Sequence, residues 1–424
     1  MVRMHYRRGQ FMSSPSTLSF SMLLFMVFGL TAAELDSTAS WTRFRGPNGA
    51  GVSSCTNLPS ACTEQDCKWK SPLPGLGHSS PVVWQDKLFV LCAEQETAKR
   101  LVVCLQIADG RQAWQREYPP TPFPKNRDNS YASSTLAADR QRIYANWAST
   151  NENTVLALDH SGTEVWRRNL GPYKSQHGPA SSPVVFEDLV VVNNDQDGPS
   201  SLVALDAKTG QTRWQVPRRA DRAAYSTPCV YQSGAGSAEL VFSSSSHGLT
   251  GVAARSGKVI WELTNAFPFR VVGSPILADG LVVATCGEGG IGRRLVAVRP
   301  GSDLQPPQLV YEMKNNIPYV PTPLAKDGLL FLWSDNGLVS CHRAATGERI
   351  WQQKISDSFY SSPVWAEGRL YGVSKAGTVY VLSAGEKYEL ISKAPLGEPS
   401  FASPAIAGGR IFFRTETHLF AFGK

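Results

Sequence analysis

One aromatic or basic side chain stands just ahead of each of eight Ser/Thr-centred segments along the chain: His78, Tyr131, His177, Tyr225, Arg270, Tyr319, Tyr360 and Phe401. Brought to one place, aromatic faces stack on a flat ligand, imidazoles and phenols exchange hydrogen bonds, and a guanidinium holds negative charge. The chemistry predicted for such a set is binding of a planar, anionic or polar small molecule. The alternative is that the same rings plug a channel and bond to one another. No catalytic constellation accompanies them. The seven His include no His-Glu-x-x-His pair, and neither a Cys-x-x-Cys, a Gly-x-Ser-x-Gly elbow nor a Gly-Lys-Ser/Thr loop occurs, so catalytic residues and metal ligands are both expected to be none.

Two segments imitate ligand motifs. Gly287-Glu288-Gly289-Gly290-Ile291-Gly292 has dinucleotide-type spacing, but a strand pattern at Leu295 follows it where a helix N-terminus is needed, which predicts a hairpin turn. Asn193-x-Asp195-x-Asp197-Gly198 begins like a calcium loop, yet Ala204 falls where a bidentate Glu belongs, which predicts a polar hairpin tip.

Whether the eight residues meet depends on the elements that carry them. A Ser/Thr-Pro signal before an apolar run recurs at Ser80, Ser182, Thr227, Ser274, Thr322, Ser362 and Ser403, and Ser134-Thr135 takes the same place without Pro. Each copy continues with a second strand, a hairpin and a third strand. Most then close on an aromatic: Trp114, Trp166, Trp214, Trp261, Tyr311 and Trp351. In five copies a Gly stands four residues before the Trp, at Gly110, Gly162, Gly210, Gly257 and Gly347, as a turn with positive φ requires. A four-stranded unit cannot bury both its faces alone, so such copies stack radially. The expected fold is all-β, an eight-bladed propeller; a seven-bladed ring and an open solenoid are the competing readings. The last copy, from Phe401, has only three strands, and Cys67-Lys68-Trp69-Lys70 has the closing pattern with nothing of its own to close. It is expected to complete the last blade, sealing the ring and hiding sheet edges. The residues ahead of each first strand then surround the axis on one face.

Ala204-Leu205-Asp206-Ala207-Lys208-Thr209-Gly210 with Trp214 resembles the tryptophan-docking motif of the pyrroloquinoline-quinone-like (PQQ-like) repeat family, and 252–261 and 341–351 are looser copies. Trp41-Thr42-Arg43-Phe44-Arg45-Gly46-Pro47-Asn48-Gly49 is similar to the start of exported bacterial quinone-binding-like propellers. The resemblance covers about 41–424. It implies the quinoprotein alcohol dehydrogenase-like fold and admits two activities. One is a PQQ- and calcium-dependent alcohol or sugar dehydrogenase; the other is a non-enzymatic scaffold such as the propeller lipoprotein of the outer-membrane β-barrel assembly machinery. The dehydrogenase needs hard oxygen ligands, a carboxylate base and a flat clamp. The chain lacks the adjacent Cys pair and long insertions of those enzymes, which favours the binding scaffold, with an envelope protein or a small polar ligand as partner.

Composition agrees. Charged residues make up 18% and aromatics 10%, with 36 Gly and 28 Pro, which suits many short strands. Residues 1–33 read as an export leader, with Arg3, Arg7 and Arg8 before an apolar run and Thr31-Ala32-Ala33 before Glu34. An uncleaved anchor is the other reading, although the run falls short of the ~20 residues of a bilayer span. Residues 34–66 form an N-terminal extension and 67–424 the propeller. Without the leader the formal charge drops from +7 to +4, and the short Arg clusters make no continuous basic face, which argues against nucleic acid. A periplasmic or secreted monomer with no span after cleavage is expected. Of the eight Cys, two of Cys55, Cys62 and Cys67 are expected to pair and Cys92 to meet Cys104, whereas Cys229, Cys286 and Cys341 read as buried thiols. Residues 118–131, with four Pro and a polar Asn126-Arg127-Asp128-Asn129, form either a recognition loop or a packed lid.

Overall fold

The computed structural model describes residues 38–233 and 237–423; the leader lies outside them. Antiparallel sheets number eight among the described residues and form the eight blades of a propeller. The third blade is typical: Val184–Phe186 innermost, then Leu189–Asn194, Gly198–Asp206 and Thr212–Ala220 outermost. The middle strands are buried on both faces, which is why they read as unbroken apolar runs such as Leu189-Val190-Val191-Val192. Outer strands alternate between the seam and solvent. No helix of the described residues is long and apolar enough to cross a membrane.

The last blade comprises Ala405–Ala407, Arg410–Arg414 and His418–Gly423, and Cys67–Pro72 supplies its outer strand, pairing Trp69 with Ala421 and Lys70 with Phe420. This is the closure that the unpaired Trp69 pattern predicts.

The docking motif has two physical reasons. Gly110, Gly162, Gly210, Gly257 and Gly347 all have positive φ, from 71° to 85°. Each also lies under the aromatic of the preceding blade, because a Cβ on Gly210 would come within 2.7 Å of the Trp166 ring and one on Gly110 within 2.7 Å of Trp69. The indole N–H then reaches a carbonyl of the next blade: Trp69 to Ile107 at 2.8 Å, Trp166 to Ala207 at 3.0 Å and Trp214 to Ala254 at 2.9 Å. Ring burial and a satisfied N–H thus come from a single contact. Two seams depart from it. Trp261 donates at 2.6 Å to Glu239 of its own blade, and the seventh blade ends on Leu390–Pro395, which has no aromatic. There the N-terminal extension helps fasten the seventh blade: Glu367 accepts the amides of Asn57 and Leu58, and the Tyr371 hydroxyl donates to the Pro59 carbonyl at 3.0 Å.

All eight cysteines are free, which corrects both expected pairings. Cys104 pairs in register with Phe89, and Cys92 with Leu101. An odd three-residue step separates Phe89 from Cys92, so the two thiols point to opposite faces of the first blade and pack in different cores. The Cys55 thiol donates to the Thr38 carbonyl at 3.0 Å, and Cys67 to that of Trp69 at 3.3 Å. Cys229, Cys286 and Cys341 are buried as expected, and burial pushes their thiols up to about 12, about 11 and about 12.

Candidate functional site: an axial funnel with one sealed end

The far ends of the inner strands are sealed by the extension itself. Ser40–Trp41 pairs with Val83 and Trp84 of the first blade, adding a fifth strand at the axis. The segment then crosses the channel and bonds around the ring. The Thr42 carbonyl accepts from Ala138, Asn48 exchanges two bonds with Val230, and Gly51 and Ser53 bracket Trp365. Arg43 and Arg45 donate to the carbonyls of Pro228 and Thr322 at 2.5 and 2.7 Å. Both guanidiniums are buried, and desolvation lowers them to about 10 and about 9. The Trp41-to-Gly49 motif is therefore a plug, and Phe44 projects from it as the floor of a cavity above.

Over that floor runs a belt of hydroxyls. Each Ser or Thr that opens an inner strand accepts the N–H of its counterpart one blade earlier. Ser80 donates to Thr135, Thr135 to Ser182, and so on to Ser403, whose N–H closes the circuit on Ser80, at distances of 2.9 to 3.3 Å. This explains why the hydroxyl recurs in all eight copies while the Pro recurs in seven. All eight belt residues line the cavity, whose volume is about 520 Å³.

Seven of the eight residues inferred from the repeat line this cavity: His78, His177, Tyr225, Arg270, Tyr319, Tyr360 and Phe401. Tyr131 does not, which corrects its placement. Its ring packs edge-on against Phe123 at 4.9 Å, under the cations of Arg100 and Lys125. Arg100 causes this: buried without a carboxylate partner, it takes the carbonyls of Tyr131, Ala98 and Thr121 and fixes that stretch off the axis.

The two sides of the funnel differ in charge. On one side Arg270 donates at 2.7 Å to His177 Nε2 and at 2.7 Å to Gln176, with its buried Nε unpartnered. Burial, then the Arg270 charge, lowers the His177 pKa, so its ring accepts as a neutral base. On the other side His78 stacks on Phe401 at 4.4 Å, and Lys375 sits 4.1 Å above the Tyr360 ring. Burial, reinforced by Arg414 and Lys125, holds His78 down to about 3.

Residues 126–129, inferred only as a loop or lid, reach across the mouth. Asn129 donates to the His177 carbonyl at 2.7 Å, while Asp128 accepts from the Tyr360 hydroxyl at 3.0 Å and pairs with Lys375 at 3.3 Å. The loop is packed as a lid. Near the axis Asp335 accepts the amides of Tyr319 and Val320 at 2.7 and 3.0 Å, and burial pushes it up to about 6.

The residues present do not fit a calcium-bound quinone. No group of three or more His, Cys, Asp or Glu that could hold a metal occurs among the described residues. Asp128 is the single carboxylate among the residues lining the cavity, and it pairs with the Lys375 cation. The calcium-like tip is also spoken for: buried Asp195 pairs with Arg218, and Asp197 accepts the Ala223 amide at 2.8 Å. The glycine run is the hairpin joining Leu281–Glu288 to Ile291–Arg299.

Fold and site together define a closed eight-bladed propeller with Trp-docked seams and an axial cavity plugged at one end and spanned by a lid at the other. The sequence model of the family described as outer membrane protein assembly factor BamB matches residues 98–353 and 317–415, and the chain belongs to this PQQ-like propeller repeat family. Among solved structures it is similar to BamB from Moraxella catarrhalis (16% identity, 84% of this chain and 96% of that one, TM-score 0.58). It is also similar to a europium-containing methanol dehydrogenase (13%, 92% and 99%, 0.67). The quinohemoprotein alcohol dehydrogenase from Comamonas testosteroni is a further likeness (13%, 92% and 82%, 0.69). At these identities the likenesses concern the fold. No curated protein sequence matches the chain.

Proposed function

We propose that this chain is an exported, periplasmic or secreted, non-enzymatic binding propeller. Its funnel takes a planar, anionic or polar ligand, and its loops serve an envelope protein partner. The observation carrying this reading is the division of labour among the polar groups. Arg270, beyond its bonds to His177 and Gln176, and the belt hydroxyls line the cavity as donors, whereas the carboxylates nearby, Asp128 and Asp335, are held by donors of the protein itself. A site rich in donors and poor in a free base recognises acceptors rather than abstracting protons. Aromatic walls add stacking.

The test is ligand-dependent melting of the purified chain against the variant His78→Ala/Tyr225→Phe/Arg270→Gln, with a panel of quinones, sugars and peptides. The reading expects at least one ligand to raise the wild-type melting temperature and to lose that effect in the variant. Equal shifts in both proteins would remove the funnel as the site. The fold likeness to the two dehydrogenases favours a second reading, PQQ-dependent alcohol or sugar oxidation. Dye-linked oxidation on addition of quinone and calcium would establish it in place of the first.

A further inference from the structure

The corner of the funnel formed by Tyr360, Phe401 and Lys375 is built like an anion subsite, and it is already filled. Lys375 stands over the Tyr360 ring at 4.1 Å and 5.7 Å from the Phe401 centroid, a cation held between aromatic faces. Into it comes the Asp128 carboxylate, which accepts from the Tyr360 hydroxyl and pairs with Lys375. Burial opposes ionisation there, but the hydroxyl and the ammonium outweigh it and the Asp128 pKa is lowered.

Asp128 does not belong to the blade it touches. It sits 247 residues from Lys375 in sequence, at the tip of the loop that spans the mouth. Elsewhere the tip is lightly fixed. Asn126 and Asn129 bond to the single carbonyl of His177, the Arg127 side chain is 92% exposed, and the stretch leading to it carries Pro119, Pro120, Pro122 and Pro124. The carboxylate is thus a tethered group in a site of complementary charge, on a tip bounded by the buried Phe123 on one side and by the Asn129 bonds to Ser130 and Ser133 on the other.

We infer that the Tyr360 and Lys375 corner is a carboxylate subsite occupied in cis by Asp128, and that the funnel's ligand is a small aromatic carboxylate that displaces the lid to bind there. This inference rests on the funnel reading above and gives its ligand a class. A tethered competitor acts at an effective concentration in the ~mM range, so removing its charge tightens a competing carboxylate by about tenfold when the tethered carboxylate itself holds the open corner at about 0.1 mM. A neutral ligand of the same shape gains nothing, because it never displaces Asp128 from the cation.

The probes are 2-naphthoate and its uncharged counterpart 2-naphthamide, titrated into the full chain by fluorescence anisotropy. Asp128→Asn is expected to bind the carboxylate about tenfold more tightly than wild type and the amide equally, and to be cut faster by trypsin after Arg127. Lys375→Met, which leaves the lid sequence intact, is expected to weaken the carboxylate alone. Equal carboxylate affinity in wild type and Asp128→Asn, or none lost in Lys375→Met, overturns the inference. If both probes bind with those equalities, the funnel reading survives without it. If neither probe binds any of the proteins, the inference falls, and the panel of quinones, sugars and peptides decides the funnel reading.

Discussion

The two ends of one axial channel are closed by different means. The plug end is filled by residues 38–54, which bring Trp41, Arg43 and Arg45 into full burial and bond to the first, second, fourth, sixth and seventh blades. The funnel end is spanned by residues 126–129, which lean on the His177 carbonyl, the Tyr360 and Ser133 hydroxyls and the Lys375 ammonium. The first closure is continuous with the core; the second is a set of part-exposed polar contacts. Radial stacking leaves a hole at both ends. The chain fills one end with packed side chains and leaves a cavity of about 520 Å³ at the other.

The largest expected effect tests the plug. Trp41→Ala removes a side chain 1% exposed and should cost about 3–5 kcal/mol in urea unfolding. A loss below about 1 kcal/mol would mean that the plug is peripheral. Next comes pH at the funnel. His78 in the unfolded chain takes a proton near 6.5, and in the folded protein only near 3. Its contribution is therefore intact above 6.5 and drains as pH falls from 6.5 toward 3, at up to about 1.4 kcal/mol per pH unit. His78→Phe should flatten that part of the stability profile between pH 6.5 and 4.5, and an unchanged slope would refute it. Between the two ends, Thr322→Val strips one belt hydroxyl and leaves the Ser274 N–H unpaired, a loss of about 1–3 kcal/mol. The smallest effect belongs to the lid: Asp128→Asn should change unfolding free energy by less than about 1 kcal/mol, since the Asp128 and Lys375 side chains are each exposed by roughly a third. A larger loss would make the lid part of the core and erase the contrast.

The sequence carried the periodic features and hid those that depend on one contact. Blade number, the closing strand at Trp69 and most of the funnel ring follow from a repeat that places like residues at like angles round an axis. Tyr131 escaped that logic because a single buried guanidinium, Arg100, pulls its segment aside. The plug was unreadable because 38–54 belongs to no repeat: its arginines bond to backbone carbonyls, which carry no residue-type signal. The belt was legible in part, since its hydroxyl recurs where Pro fails at Thr135. The free thiols show the limit of counting cysteines, because strand alternation sends Cys92 and Cys104 to opposite faces whatever their spacing.

Hydrogen exchange read by mass spectrometry compares both closures in one experiment. The account predicts that amides bonded through the plug, such as Ala138 and Trp365, exchange only with global unfolding, while that of Asn126 in the lid exchanges orders of magnitude faster. Comparable protection at the two ends, or faster exchange at the plug, would contradict it.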